Sequence, residues 1–152
     1  MATRSRIGIL NDDGTVDSIY CHWDGYLSHN GKILFEHYTD PAIVQELIAL
    51  GDISSLGIVI GEKHPFDFNS NDDDWEAMYG HMCQVYGRDR GETGDDAAHS
   101  NSIEEFSAIN CDAEFYYLFC DGEWLVLDSY GDKPDQFVPL EDALSIAESE
   151  AE

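Results

Sequence analysis

The sequence predicts an α+β fold: one domain over residues 1–152, with an antiparallel sheet carrying helices on one face. Three observations predict it. Two stretches, 5–22 and 114–127, carry β-formers around compact turn signals. Between and after them, apolar residues recur at helical spacing beside capping residues. The apolar fraction of 43%, with eight Tyr, seven Phe and three Trp, suffices for a core and separates this chain from a disordered acidic tail.

The first hairpin pairs Ser5–Leu10 with 15–22 across Asn11-Asp12-Asp13-Gly14, a strong turn signal. Two helices follow. Residues 31–38 set Ile33, Leu34, Phe35 and Tyr38 at helical spacing. Asp40-Pro41 then supplies a cap and an N1 proline for 42–50, where Ile43, Val44, Leu47, Ile48 and Leu50 form one apolar face. Gly51 is a natural stop. Residues 52–61 are short and Gly-punctuated, and 64–74 read as an acidic loop. Residues 82–86 read as a middle strand, and 88–101, rich in Gly and Asp, as an exposed loop. Ser102 with Glu105 fits a capping box for a helix through about Ile109. The second hairpin, 114–120 with 123–127, turns at Asp121-Gly122, a type I′ sequence. A short helix over 140–147 closes the chain, and the last ~5 residues are expected to fray.

No apolar run approaches the ~18 residues of a membrane span. MATRSRIGIL lacks the apolar core of a secretory signal. Cys21, Cys83, Cys111 and Cys120 are widely spaced with no CxxC, which reads as reduced core thiols. The expected location is the cytoplasm.

Charge is the strongest functional signal. The chain has 32 acidic residues against 7 basic, a formal net charge of −25. The excess is uneven: 15 acids and 6 bases up to Arg90, then 17 acids and only Lys133. Repulsion on this scale destabilises a compact state. The charge either suits strong salt, as in halophile proteins, or serves to attract a basic surface, of which nucleic-acid-binding grooves are the most basic. A 17.0 kDa globule exposes roughly 7,700 Å², or about one net charge per 300 Å². Duplex DNA, treated as a cylinder of about 10 Å radius, carries roughly one per 100 Å². Mimicry of DNA therefore requires the acids to cluster on one face.

The candidate partner-binding residues are the block Asp72, Asp73, Asp74, Trp75 and Glu76, with Asp95, Asp96, Glu104 and Glu105. Carboxylates meet Lys and Arg, and an indole among them adds a cation–π surface. A solvated loop is the plainer reading. Arg88 and Arg90, two of few basic residues, read either as an anion anchor or as local ion pairs with Asp89 or Glu92. Cys21, His22 and Asp24 sit at a strand exit, where sites often lie, but adjacent strand residues point to opposite faces, which suits a Cys–His dyad poorly. No zinc spacing, phosphate loop or calcium loop occurs, so no metal and no cofactor are expected.

The stretches at 19–26 (IYCHWDGY), Gly31 with His37-Tyr38, 47–57 (LIALGDISSLG) and 86–92 (YGRDRGE) resemble a widespread, uncharacterised family of small proteins encoded in bacteriophages and prophages. The resemblance runs through most of the chain. It implies a phage accessory protein acting in the cytoplasm of a bacterial host, and puts no residue in a named role.

Acidity and this resemblance together predict a non-enzymatic inhibitor. It would occupy the basic groove of a nucleic-acid-binding host or defence factor, in the manner of anti-restriction and anti-CRISPR proteins, without touching nucleic acid or membrane itself. The alternatives are a virion structural or assembly protein, and a small hydrolase or nucleotide-modifying enzyme using 21–26 with Arg88 and Arg90.

Overall fold

A computed structural model describes residues 3–61, 82–90, 97–109, 113–129 and 136–151. β1 (Ser5–Leu10) and β2 (Val16–Cys21) form the first hairpin, with Ile7 opposite Ile19. β6 (Phe115–Cys120) and β7 (Glu123–Asp128) form the second, with Tyr117 opposite Val126. Both turns behave as their sequences require. Gly14 (φ 87°), Asp121 (φ 51°) and Gly122 (φ 82°) take the left-handed backbone that Gly, and less readily Asp, accept.

The sheet is mixed, which corrects the expectation of an antiparallel one. β1 pairs with β6 in parallel, Ser5 beside Phe115 and Ile9 beside Phe119. The two hairpins therefore lie side by side and point the same way. β2 also pairs in parallel with β3 (Ile53–Ser55), after a helical crossover of the kind parallel strands need. β4 (Gln84–Val85) is antiparallel to β3, and β8 (Val138–Pro139) to β7. β5 (Ala98–Ser100) lies antiparallel to the first half of β2, inside the stretch expected to be an exposed loop. The 82–86 strand is shorter than expected, because Tyr86 begins a helix.

The crossover runs from a π-helical turn (Leu27–Gly31) into α1 (Lys32–His37) and α2 (Pro41–Ala49). Asp40 caps α2, its carboxylate accepting from the Ala42 amide at 3.0 Å. Gly51 closes α2 at φ 82°. α3 (Tyr86–Arg90) follows β4, and α4 (Ile103–Ser107) follows β5. Ser102 caps α4, accepting the Glu105 amide at 3.1 Å. Glu105 answers on the amide of Asn101, a variant of the expected capping box. α5 (Leu140–Ala151) runs beyond the expected 140–147.

Helices cover both faces, a second correction. The larger core sets Ile7, Ile19, Tyr117, Trp124 and Val126 against Leu34 and Tyr38, Val44 and Leu47 of α2, and Leu140 and Leu144 of α5. The smaller core lies on the opposite face, where Phe106 of α4 packs with Val16, Tyr116, Leu118 and Leu127. Gly8 makes that approach possible: a Cβ there would stand 2.9 Å from Val16 Cγ1 and 3.1 Å from the Phe106 ring. Nothing in the helix pattern alone says that a five-residue helix can cover a sheet face; the bare Gly8 is what admits it.

Candidate functional site

Pairing β1 in parallel with β6 has one large electrostatic consequence. The turn after β1 carries Asp12 and Asp13, and the turn after β6 carries Asp121 and Glu123, all four exposed. Because the strands are parallel neighbours, both turns project from the same end of the sheet. β5 delivers a third group there. It runs antiparallel to β2, so Ser100 sits level with Val16 and Leu10, and the chain enters α4 at that end. Exposed Glu104 and Glu105 follow at once. Asp17 completes the set, its carboxylate taking Asn11 Nδ2 at 3.1 Å and His99 Nδ1 at 2.7 Å.

Seven carboxylates thus gather across β5-β2-β1-β6-β7, a width of four strand spacings or about 19 Å. Allowing about 20 Å for sheet and helix layer together, the footprint holds roughly one carboxylate per 55 Å². The whole surface of 8569 Å², shared among 32 acids, averages about one carboxylate per 270 Å². Asp13 is held below the usual carboxylate range, first by its hydrogen bond from the Thr15 hydroxyl and then by that from the Thr15 amide.

Two of the described cations are withdrawn from the surface. Arg6 is 5% exposed, donating through Nε and Nη2 to Ser18 at 3.0–3.2 Å. Arg88 is clasped internally: Nε on Asp89 at 2.9 Å, Nη1 on the Ile60 carbonyl at 3.0 Å and Nη2 on the Cys83 carbonyl at 2.9 Å. Asp89 also accepts the Val85 amide at 2.9 Å. Arg88 therefore makes the local ion pair, and its donors are turned to structural work. Among the residues whose side chains are described, Lys32 is the only exposed Lys or Arg.

The strand exit is a different kind of place. Cys21 is fully buried, taking Asn30 Nδ2 at 3.3 Å, and burial pushes its thiol up to about 12. His22 turns to the other face and meets the Tyr20 hydroxyl through Nδ1 at 2.8 Å. The two side chains do not converge, and no thiolate is available at neutral pH for nucleophilic work. Asp24 takes φ 57° at the start of the loop.

Glu104 and Glu105 are the sequence candidates that reach the acidic end. Asp72, Asp73, Asp74, Trp75, Glu76, Asp95, Asp96 and the Arg90 side chain lie outside the described residues. Asp12, Asp13, Asp121 and Glu123 were legible only as turn formers; their convergence needs the strand order. Among the described residues no three His, Cys, Asp or Glu side chains are grouped to hold a metal ion, and no helix is long and apolar enough to cross a membrane. Compared with protein-family models, curated proteins and solved structures, the chain finds no match.

Proposed function

We propose that this chain is a non-enzymatic inhibitor that occupies the basic groove of a nucleic-acid-binding host or defence factor in the bacterial cytoplasm. Its carboxylates stand where phosphates would lie. The observation that carries the reading is the acidic end of the sheet. There the local charge density, roughly one carboxylate per 55 Å² across about 19 Å, exceeds the roughly one per 100 Å² of duplex DNA. The average surface falls short of that density, so the clustering matters more than the total. The sequence block Asp72–Asp73–Asp74 with Trp75 and Glu76, and the pair Asp95 and Asp96, belong to the same proposal as further carboxylates available to the partner.

The mechanism is competition. Lys and Arg of the partner exchange their counterions and waters for fixed carboxylates, so affinity falls steeply with salt. Two hairpin turns and a capped helix hold those carboxylates in place before binding, which limits the ordering cost.

The test is affinity capture from bacterial lysate with a salt-gradient elution, run on the wild type and on a variant carrying Asp12→Asn, Asp13→Asn, Asp121→Asn and Glu123→Gln. Asn at position 121 keeps a type I′ turn, so the variant loses charge and retains its shape. The expected result is a nucleic-acid-binding protein retained at low salt, displaced by duplex DNA and lost by the variant. Retention by the variant equal to wild type, or a captured protein that DNA does not displace, overturns the proposal.

A further inference from the structure

The loop leaving β2 bonds its backbone inward and its side chains outward. The Trp23 amide donates to the Ser54 carbonyl at 2.9 Å, and the Trp23 carbonyl accepts from Asn30 Nδ2 at 3.4 Å. The Asp24 carbonyl accepts the Asn30 amide at 3.2 Å. The Gly25 amide donates to Thr3 at 2.7 Å, and the Gly25 carbonyl accepts the Tyr117 hydroxyl at 2.6 Å. The Tyr26 carbonyl accepts the His29 amide at 3.1 Å. Every carbonyl from Trp23 to Tyr26 is therefore satisfied within the molecule. What remains outside is two large rings, Trp23 at 45% and Tyr26 at 40% exposure, on either side of Asp24.

Asp24 sets these two exposed rings apart from the other exposed apolar side chains. It holds φ 57° without the hairpin turn that explains the same backbone at Asp121. Strain of this kind persists only where the surroundings fix it, and here the bond from the Asn30 amide to Asp24 and those of Gly25 to Thr3 and Tyr117 do so. The Asp24 carboxylate lies close enough to Tyr26 to push its phenol up. The result is a carboxylate on a fixed backbone, close to the exposed Tyr26 ring and next in the chain to the exposed Trp23 ring. A guanidinium matches that combination: its charge meets the carboxylate and its flat face lies on a ring. An anion would meet Asp24 and a protein of net charge −25.

We propose that Trp23, Asp24 and Tyr26 receive an arginine side chain of a basic protein partner. This rests on the reading that the partner is basic, but not on the acidic end being used. β2 carries the chain away from that end, and six strand residues at about 3.3 Å each set the two surfaces about 20 Å apart. A partner holding both is gripped by bulk charge at one end and by a shaped contact at the other.

The test uses the full chain, ¹⁵N-labelled, and a capped Gly-Arg-Gly peptide beside the same peptide with citrulline. The arginine peptide is expected to shift the Trp23 indole N–H saturably while the citrulline peptide does not. Asp24→Asn, which keeps a residue tolerant of positive φ, should weaken that binding about threefold, and Tyr26→Ala should weaken it similarly. Equal shifts from citrulline overturn the proposal. So does an arginine peptide that shifts only Asp121 and Glu123, a result that leaves the acidic-end reading intact. A saturable Trp23 shift with no response at Asp121 or Glu123 supports the arginine receptor and counts against the acidic end.

Discussion

The Tyr117 hydroxyl donates to the Gly25 carbonyl at 2.6 Å, tying the middle of β6 to the loop that leaves β2. Tyr117 is fully buried, and Gly25 is packed so closely that a Cβ would stand 2.8 Å from both the Ser5 Cβ and the Thr3 carbonyl. One hydroxyl thus anchors the surface that carries Trp23 and Tyr26. Tyr117→Phe removes the donor and leaves a buried carbonyl unpaired, at a cost of about 1–3 kcal/mol. Urea unfolding should show that loss, with faster amide exchange over 22–26. An unchanged midpoint together with unchanged exchange would remove this anchor from the account.

The thiols give a second expectation. Cys21 is pushed up to about 12 by burial, and burial raises Cys83 as well, despite its contact with the Tyr38 hydroxyl at 3.4 Å. Neither should react with a thiol reagent at pH 8 while the protein is folded. Labelling should appear only with denaturant and track the unfolding curve. Prompt modification of native Cys21 would revive the enzyme alternative.

A third prediction concerns His22, whose imidazole is lowered first by desolvation and then by Arg4. The unfolded chain then binds a proton at His22 more readily than the folded one. By linkage, stability from this group is present above the ordinary value of 6.5 and is lost as pH falls through that value toward the lowered one. His22→Gln should flatten this part of the stability profile relative to wild type. An NMR titration placing the His22 midpoint above 6.5 would contradict the sign.

Arg6 supplies a fourth. It is a buried cation, and among the described residues no carboxylate lies within ion-pair distance. Its bonds go to Ser18. Arg6→Met fills the space and removes a desolvated charge but leaves the buried Ser18 hydroxyl without its donor, so thermal unfolding should find a loss of about 1–2 kcal/mol. Arg6→Ala leaves a void and should cost about 2–4 kcal/mol. Equal losses in both variants would show that the charge itself is required.

The parts legible in the sequence are those decided locally. Asp121-Gly122, Asp40-Pro41, Gly51 and Ser102 each announce a backbone requirement within three or four residues, and each meets it in the fold. The Arg88–Asp89 pair was likewise readable, being adjacent in the chain. What escaped the sequence is long-range choice. No periodicity says that β1 takes β6 as its second neighbour, or that β2 shares one edge between β3 and β5. Asp52 closes that shared edge by accepting the Tyr20 amide at 2.8 Å, a role for a carboxylate that composition hides. The acidic end was missed for the same reason. Asp12 and Asp121 become neighbours through strand order, and charge counting along the chain cannot register that.

The pairing of Ser5 with Phe115 also sets a timetable. β1 leaves the ribosome well ahead of its parallel neighbour, which is made 110 residues later. At about 5–20 residues per second that is a wait of roughly 5–20 s. The first hairpin is complete long before the second can join it, and the closure of so large a loop is a slow step. The two acidic turns therefore meet only once β6 and β7 have both been made. A nascent or truncated chain that stops short of β6 carries part of the charge but not the surface, so the acidic end should form all at once, when the second hairpin docks on the first.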